Sequence, residues 1–156
     1  MDKQNLTIRK TTEKDIRLIY EFIKGLALYE KRPEDVTGSV EMLKFWLFEK
    51  KTATAIIAEI DGEPVGYAIY YPVFASFAAH ANVHIEDLFI KPEYRRQGLG
   101  REFFYKLLEL IKSEGYSDLE WSCLDWNAPS IEFYKKIGAI EETGRVYFDY
   151  PQKKLN

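Results

Sequence analysis

The sequence predicts an α/β fold in which helices cover a twisted, mixed β-sheet. Its hydrophobic patterns alternate between strand-like and helix-like segments, in the order β, α, α, β, β, β, α, β, α, β. The dipeptide Asp61-Gly62 separates two strand-like runs, which is typical of a tight hairpin. With 156 residues, 46% of them hydrophobic, the chain can build one full core but not two. We therefore expect a single domain over residues 1–156.

The first half of the chain is expected to supply two helices and most of the sheet. Residues 6–12 alternate apolar and polar side chains, as a short strand does. Thr12 is a suitable N-cap, and the apolar spacing that follows predicts a helix ending near Glu30. Ser39 can cap a second helix. Strands follow on both sides of the hairpin turn, and residues 82–90 predict another strand.

The second half is expected to alternate helices and strands. Apolar residues from Gly98 onward predict a helix, which Gly115 is placed to end. Residues 118–124 predict a strand, and a short helix follows that ends at Gly138. Residues 144–151 predict a final strand.

Composition narrows the class of protein. The net charge is −3 with no long run of one sign, which argues against nucleic-acid binding and leaves room for a cationic substrate. Cys123 is the single cysteine and cannot form an internal disulfide, so the chain fits a reducing compartment. No leader segment and no membrane-length apolar run is visible. We expect a soluble, cytoplasmic protein without a membrane partner.

The segment Arg95-Arg96-Gln97-Gly98-Leu99-Gly100 lies between a predicted strand and a predicted helix. A helix start offers unpaired N–H groups to an anion, and glycines let the backbone approach a phosphate closely. The segment lacks the Gly-Lys-Ser/Thr of a Walker A loop and the third glycine of a dinucleotide fingerprint. Taken alone, it fits a pyrophosphate loop and a glycine-rich helix start with surface arginines equally well.

Two stretches together resemble a known family. "IEDLFIKPEYRRQGLG" is similar to the central strand and acetyl-CoA loop of the GNAT superfamily of N-acetyltransferases. "WNAPSIEFYKKIGA" is similar to the second coenzyme A motif of that superfamily. With "LALYEKRPEDV", these segments resemble the branch that acetylates diamines, polyamines and thialysine. The resemblance implies a GNAT-type fold, with a mostly antiparallel twisted sheet and a splayed central strand pair.

The resemblance also implies a set of coenzyme contacts. A bulge would splay the central strand from its neighbour and free backbone groups of Leu88 to Ile90 for the pantetheine arm, and one N–H there would polarise the thioester carbonyl. The loop from Gln97 to Arg101 would hold the pyrophosphate, and Asn127 and Ser130 would bind the pantetheine arm near the thioester. The implied cofactor-binding residues are Leu88, Phe89, Ile90, Arg95, Arg96, Gln97, Gly98, Leu99, Gly100, Arg101, Asn127, Ser130 and Tyr134. The cosubstrate is acetyl-CoA, and no metal is expected, because His80 and His84 have no partners at metal-ligand spacing.

Tyr134 and Glu86 are the candidate catalytic residues. A phenol with a pKa of about 10 stays protonated at neutral pH and can donate a proton to a thiolate. In a chain with eleven tyrosines, Tyr134 would ordinarily be a core aromatic beside Phe133, but its place in the second motif favours the catalytic role. Glu86 would bind the amine or take its proton; the alternative is a solvated strand-edge carboxylate. Strand alternation assigns Asp87 to the opposite face and to a structural role.

Tyr29 and Glu30 match the amine-binding pair of the branch, although a helix end with an exposed acid explains them as well. The implied function is acetyl transfer from acetyl-CoA to a small primary amine by direct attack, in a homodimer. The alternatives are acetylation of a peptide, protein or antibiotic amine, a non-catalytic coenzyme A sensor, and a nucleotide-binding module.

Overall fold

The computed structural model describes residues 4–151. Within that range, five strands and four helices follow one another in the order β, α, α, β, β, β, α, β, α. The strands are β1 (Leu6–Lys10), β2 (Thr54–Ile60), β3 (Glu63–Ala75), β4 (His80–Ile90) and β5 (Leu119–Trp121). The helices are α1 (Ile16–Tyr29), α2 (Val40–Lys44, continued by a π-helical turn over Phe45–Glu49), α3 (Leu99–Ser113) and α4 (Ala128–Lys136).

The sheet is open and its strands lie in chain order, β1-β2-β3-β4-β5. The pairs from β1 to β4 are antiparallel, and β5 pairs with β4 in parallel. This mixed, mostly antiparallel sheet with flanking helices confirms the predicted fold class. The β4–β5 pairing ends at Ile85 and Trp121, although β4 continues to Ile90. In the strand pair at which a splay was expected, only Val83 to Ile85 of β4 therefore pair with β5.

The local signals in the sequence account for the element ends. Thr12 forms a capping box with Asp15 at the 3-10 turn that precedes α1. Asp61 and Gly62 have φ angles of 52° and 80°, so both residues of the two-residue hairpin turn adopt the left-handed conformation. The Ser39 hydroxyl accepts from the Met42 N–H at 3.1 Å and caps α2.

Residues 144–151 do not form the predicted strand. Alternation marks a segment that can pair, but a strand exists only where another strand supplies the hydrogen-bonded ladder. Side chains that a sheet would cover are exposed instead: Val146, Tyr147, Phe148 and Tyr150. The prediction is wrong for this reason, and the strand predicted over 118–124 is shortened to Leu119–Trp121.

The chain divides into two compact units, one up to Ser122 and one from Cys123 onward. The first unit carries the whole sheet and α1 to α3, while the second carries α4. The expectation of a single domain stays a prediction.

Helices cover both faces of the sheet in the first unit. On one face, Phe22 of α1 stacks on the ring of Tyr67, with 5.3 Å between centroids, and Phe89 packs edge-on against Phe22 at 6.4 Å. On the other face, α3 contacts β1 and β4, and Tyr70 donates to Glu114 just beyond the end of α3. Tyr67 and Tyr70 are three residues apart in β3 and therefore lie on opposite faces of the sheet, as the pleat requires.

A β-bulge interrupts the β3–β4 ladder. Ile69 pairs with Asp87, but the next residue, Tyr70, pairs with Ile85, so Glu86 is an extra residue on β4. The bulge changes the direction in which the side chains of Glu86 and Asp87 point from the strand.

Gly66→Ala should destabilise the protein by about 1–3 kcal/mol, because a Cβ on Gly66 would lie 2.4 Å from the Phe89 carbonyl oxygen and 2.8 Å from Ile90 Cδ1. Backbone on the paired strand cannot yield as a flexible side chain does. Urea unfolding measures the change. The control is Gly38→Ala, where a Cβ meets nothing within 4 Å and the free energy of unfolding should stay within about 0.5 kcal/mol. Equal stability of the two variants would contradict the close strand approach.

Candidate functional site

The bulge places two neighbouring carboxylates on one face of the sheet. The Tyr67 hydroxyl donates to Asp87 Oδ2 at 2.8 Å, and the Tyr71 hydroxyl donates to Glu86 Oε2 at 3.0 Å. Tyr67 and Tyr71 are four residues apart in β3 and so share a face. The expectation that Asp87 faces away from Glu86 is therefore wrong, because alternation fails where a strand carries an extra residue.

A cavity of about 440 Å³ opens beside Asp87, and Glu86, also predicted to bind the amine, does not line it. Its walls come from α1, the turn that follows it, and α2, and Asp87 lines it from the sheet. Glu30, which was predicted to bind the amine, lines the same cavity, and its role stays a prediction. Arg32 and Asp35 also line it, but they pair with each other at 2.6 Å and their charges cancel. Glu30 and Asp87 remain, and they give the cavity a negative character.

The rest of the cavity wall is mainly apolar. Its apolar lining residues are Ile23, Leu26, Ala27, Val36, Met42, Leu43 and Trp46. Such a wall suits an alkyl chain, while the two acids suit a positive charge.

Asp87 has a perturbed acidity. Burial raises the pKa of its carboxyl to about 6, and the negative charges of Glu86 and Glu30 act in the same direction. The hydrogen bond from Tyr67 opposes them and lowers the pKa. Asp87 is thus ionised at neutral pH and becomes protonated in mild acid. A perturbed titratable group in a cleft is typical of a functional site.

Glu86 lies in a different environment, because its side chain is exposed. Besides the Tyr71 hydroxyl, His84 approaches it, with 3.5 Å between His84 Nε2 and Glu86 Oε2. The other ring nitrogen of His84 is 3.7 Å from Glu120 Oε1 on β5. Burial, and after it Glu86, raises the pKa of Tyr71, so this phenol stays a hydrogen-bond donor. Glu86 is therefore a solvated, oriented carboxylate.

The loop that precedes α3 has the backbone of an anion site. Arg96 and Gly98 have φ angles of 61° and 77°, in the left-handed region. Gly98 is the N-cap of α3 and supplies no side chain to the first N–H groups of the helix. A Cβ on Gly98 or Gly100 would meet nothing within 4 Å, so the space above the loop is open. This geometry fits a pyrophosphate, which the N–H groups from Leu99 to Arg101 would hold.

The two loop arginines differ. Arg96 is exposed. Arg95 turns inward: its Nε donates to the Ile90 carbonyl at 2.9 Å, and its guanidinium carbon lies 4.3 Å from the centroid of the Tyr29 ring and 5.1 Å from that of Phe89. Arg95 thus fixes the loop to the end of β4 and to the end of α1. The ring of Tyr29, predicted to bind the amine, stacks with this guanidinium, and Tyr29 does not line the cavity.

The predicted pantetheine contacts lie at the end of β4. Leu88 is half-buried, and the side chains of Phe89 and Ile90 are buried. The ladder between β4 and β5 stops at Ile85, so the β5-facing backbone of the last residues of β4 is not paired within the described sheet. Such groups can bind the amides of a pantetheine arm.

Asn127, Ser130 and Tyr134 lie in the second unit. Asn127 is buried, and its Oδ1 accepts from the Ser130 N–H at 3.4 Å as the N-cap of α4. Spacings of three and four residues place Ser130 and Tyr134 on one face of the chain from Asn127 through α4. Tyr134 is half-buried, and its ring lies 5.5 Å from that of Phe133.

Sequence reasoning missed the Tyr67–Asp87 pair and the place of Asp87 in the cavity wall. Period-2 alternation cannot reveal a bulge, and only the adjacent acids in "IEDLFI" hinted at a shared site.

Within residues 4–151, no cluster of His, Cys, Asp or Glu is arranged to hold a metal ion, and no helix is long and apolar enough to cross a membrane.

Comparison with known proteins identifies the family. Residues 19–139 match the model of the acetyltransferase (GNAT) family, which spans both compact units. The thialysine N-epsilon-acetyltransferase of Bos taurus is 37% identical over 145 residues, covering 87% of this chain and 85% of the relative. The enzyme of the same name from Sus scrofa is 35% identical over 148 residues, covering 89% and 86%.

A solved structure of a predicted acetyltransferase from Clostridium acetobutylicum, with acetyl-CoA, shares the fold. It superposes with a TM-score of 0.75 at 16% identity, over 93% of this chain and 96% of that one. Since the family model covers most of the chain and the relatives are similar along nearly all of it, the protein belongs to the acetyltransferase (GNAT) family and is an acetyl-CoA-dependent N-acetyltransferase.

Proposed function

We propose that the protein transfers the acetyl group of acetyl-CoA to a primary amine of a small cationic molecule of the diamine, polyamine or thialysine type. The observation that carries the proposal is the acidic, otherwise mainly apolar cavity beside β4, with Glu30 and Asp87 in its wall. The relatives named as thialysine N-epsilon-acetyltransferases support the same acceptor class.

The cavity suits an amine on an alkyl chain that carries a second charge. An ammonium group is stabilised beside a carboxylate, and methylene groups are stabilised against side chains such as Leu43 and Trp46. Two acids, Glu30 and Asp87, offer one contact to the reacting nitrogen and one to a second cationic group. A neutral or anionic acceptor would leave these carboxylates unpaired.

Direct attack requires a neutral amine and a protonated leaving thiol. Glu86 is our candidate to take the proton of the ammonium, directly or through water, because it is solvated and held by the Tyr71 hydroxyl at 3.0 Å. Tyr134 is our candidate to protonate the coenzyme A thiolate, since its phenol shares a helix face with Ser130. Both act within a ternary complex, without a covalent acyl-enzyme.

We propose that the α3 start holds the pyrophosphate, through Gln97 to Arg101 with charge from Arg96. The end of β4, from Leu88 to Ile90, contacts the pantetheine arm, together with Asn127 and Ser130. Open space above Gly98 and Gly100 supports the loop assignment. One N–H at the end of β4 polarises the thioester carbonyl, and acetyl-CoA supplies the activated acyl group.

We also propose that the protein is a cytoplasmic homodimer. Four apolar side chains of residues 146–150 are exposed in the single chain, with Phe148 at 93% and Tyr147 at 89% of their full accessibility. Pairing with a second copy would remove them from water.

The acceptor class is tested by an amine panel with detection of the free thiol of coenzyme A. We expect diamines and thialysine to be acetylated faster than peptides, N-terminal amines and aminoglycosides, because they combine cationic groups for Glu30 and Asp87 with an alkyl chain for the apolar wall. Glu30→Gln should raise the amine KM roughly tenfold, as expected when one charged contact is lost. Its control, Glu34→Gln, alters an acid of the same turn that does not line the cavity. A preference for peptides would refute the acceptor class.

Tyr134→Phe should lower kcat by about 10²- to 10⁴-fold while acetyl-CoA binding stays near normal, because a general acid acts only on the leaving thiolate. Steady-state kinetics and calorimetric binding of acetyl-CoA separate the two effects. Tyr116→Phe, outside both motifs, is the matched control. Unchanged turnover of Tyr134→Phe would remove this tyrosine from the proposed role.

Light scattering should give twice the mass of the 18.3 kDa chain. Replacing Tyr147 and Phe148 by Ser should shift the protein towards the single-chain mass, because the exposed apolar area would no longer need a partner. A wild-type mass of one chain would contradict the homodimer.

A further inference from the structure

We infer that Tyr67 is a positioning residue for the acceptor amine: its hydroxyl holds the Asp87 carboxylate at the cavity wall, in the orientation that receives a cationic nitrogen. This inference rests on the proposed function, because it assigns a task inside the acidic cavity. It adds a residue that lies outside both family motifs and that does not itself line the cavity.

The hydrogen bond is well placed for this task. Tyr67 is fully buried, so its hydroxyl needs a protein partner, and it finds one in Asp87 Oδ2 at 2.8 Å. With Oδ2 engaged on the sheet side, the same carboxylate lines the cavity. A carboxylate has acceptor sites on both oxygens, so the Tyr67 bond leaves capacity for an ammonium group.

The ring of Tyr67 cannot easily turn. It stacks on Phe22 of α1 with 5.3 Å between centroids and 15° between planes. Phe89 of β4 meets it at 6.1 Å and 62°. Packing on two sides fixes the hydroxyl, so the orientation of Asp87 is set before the amine arrives.

The electrostatic surroundings give the hydroxyl a second effect. Glu30 faces Asp87 from α1 and Glu86 faces it along β4, and both disfavour its charge. On the turn after α1, Arg32 and Asp35 line the cavity as a neutral pair. Against burial and the two acids, the Tyr67 hydroxyl favours the ionised carboxyl.

The sign of the pH dependence follows from these groups. An ammonium ion needs Asp87 ionised, and the pKa of Asp87 is about 6, so amine capture should weaken as the pH falls through that value. Removing the Tyr67 hydroxyl takes away the contribution that lowers this pKa. The pKa then rises, and the loss of amine capture begins at a higher pH.

Tyr67→Phe tests the inference, because it keeps the ring and deletes only the hydroxyl. At pH 7 and saturating acetyl-CoA, we expect the amine KM to rise roughly tenfold. The KM for acetyl-CoA, measured at saturating amine, should stay within about twofold of the wild-type value. The pH profile is measured from about pH 5 to 9. The acidic limb of kcat/KM for the amine should move to higher pH by about half a unit or more.

Tyr70→Phe is the matched control. Tyr70 is the buried tyrosine three residues further along β3, and its hydroxyl also donates to a carboxylate, but that acid, Glu114, lies away from the cavity. Its amine KM and pH profile should equal those of the wild type. Thermal melting of all variants separates a loss of stability from a loss of amine capture.

Asp87→Asn supplies the second measurement. It should raise the amine KM more than Tyr67→Phe does and should abolish the acidic limb that Asp87 causes. In the Asp87→Asn background, adding Tyr67→Phe should change the amine KM less than twofold, since the hydroxyl acts through the charge that is already gone. A fold-change as large as in the wild-type background would overturn the inference.

The failures can be told apart. If the wild type acetylates amines and Asp87→Asn raises their KM, but Tyr67→Phe leaves KM and the pH profile unchanged, the inference about Tyr67 is overturned and the proposed function stands. If the wild type acetylates no amine of the panel, the proposed function is overturned, and the inference falls with it.

Discussion

The extra residue in β4 is the constraint on which the rest of the site depends. Without the bulge at Glu86, alternation would send Glu86 and Asp87 to opposite faces of the sheet, and only one acid could serve an amine. With it, each acid meets a tyrosine of the same β3 face, Asp87 beside Tyr67 and Glu86 beside Tyr71. The cost is a broken ladder at one position, which the long antiparallel pairing on both sides of it offsets.

The two carboxylates are chemically distinct because their surroundings differ. Asp87 is half-buried at the cavity wall, where its surroundings raise its pKa to about 6, while Glu86 is exposed. Neighbouring groups whose environments separate their acidities are suited to separate tasks. A half-buried acid is less fully hydrated and so binds a charge more strongly than an exposed one, whereas an exposed acid can pass a proton to the solvent. The bulge thus places the residues proposed for both tasks in one dipeptide.

The sequence predicts most of the fold and only part of the site, for physical reasons. Capping at Thr12, the left-handed turn at Asp61 and Gly62, and the helical spacing after Gly98 are local properties, so the chain displays them directly. The two family motifs likewise predict the coenzyme loop before α3 and the candidate general acid Tyr134. Strand formation over 144–151 and the direction of Asp87 depend instead on a partner strand and on ladder register. Neither is encoded in the periodicity of a single segment.

Arg95 connects the predicted coenzyme loop to the amine cavity. Its Nε donates to the Ile90 carbonyl at the end of β4, and its guanidinium packs on Tyr29, the last residue of α1. Glu30 of the cavity is the next residue in the chain. A single side chain therefore holds together the loop proposed to bind the pyrophosphate, the strand end proposed to contact the pantetheine arm, and the helix end beside Glu30, the proposed amine ligand. Since both substrates must meet within about 3–3.5 Å of each other for direct attack, such shared anchoring places the acceptor pocket and the donor loop on one rigid frame.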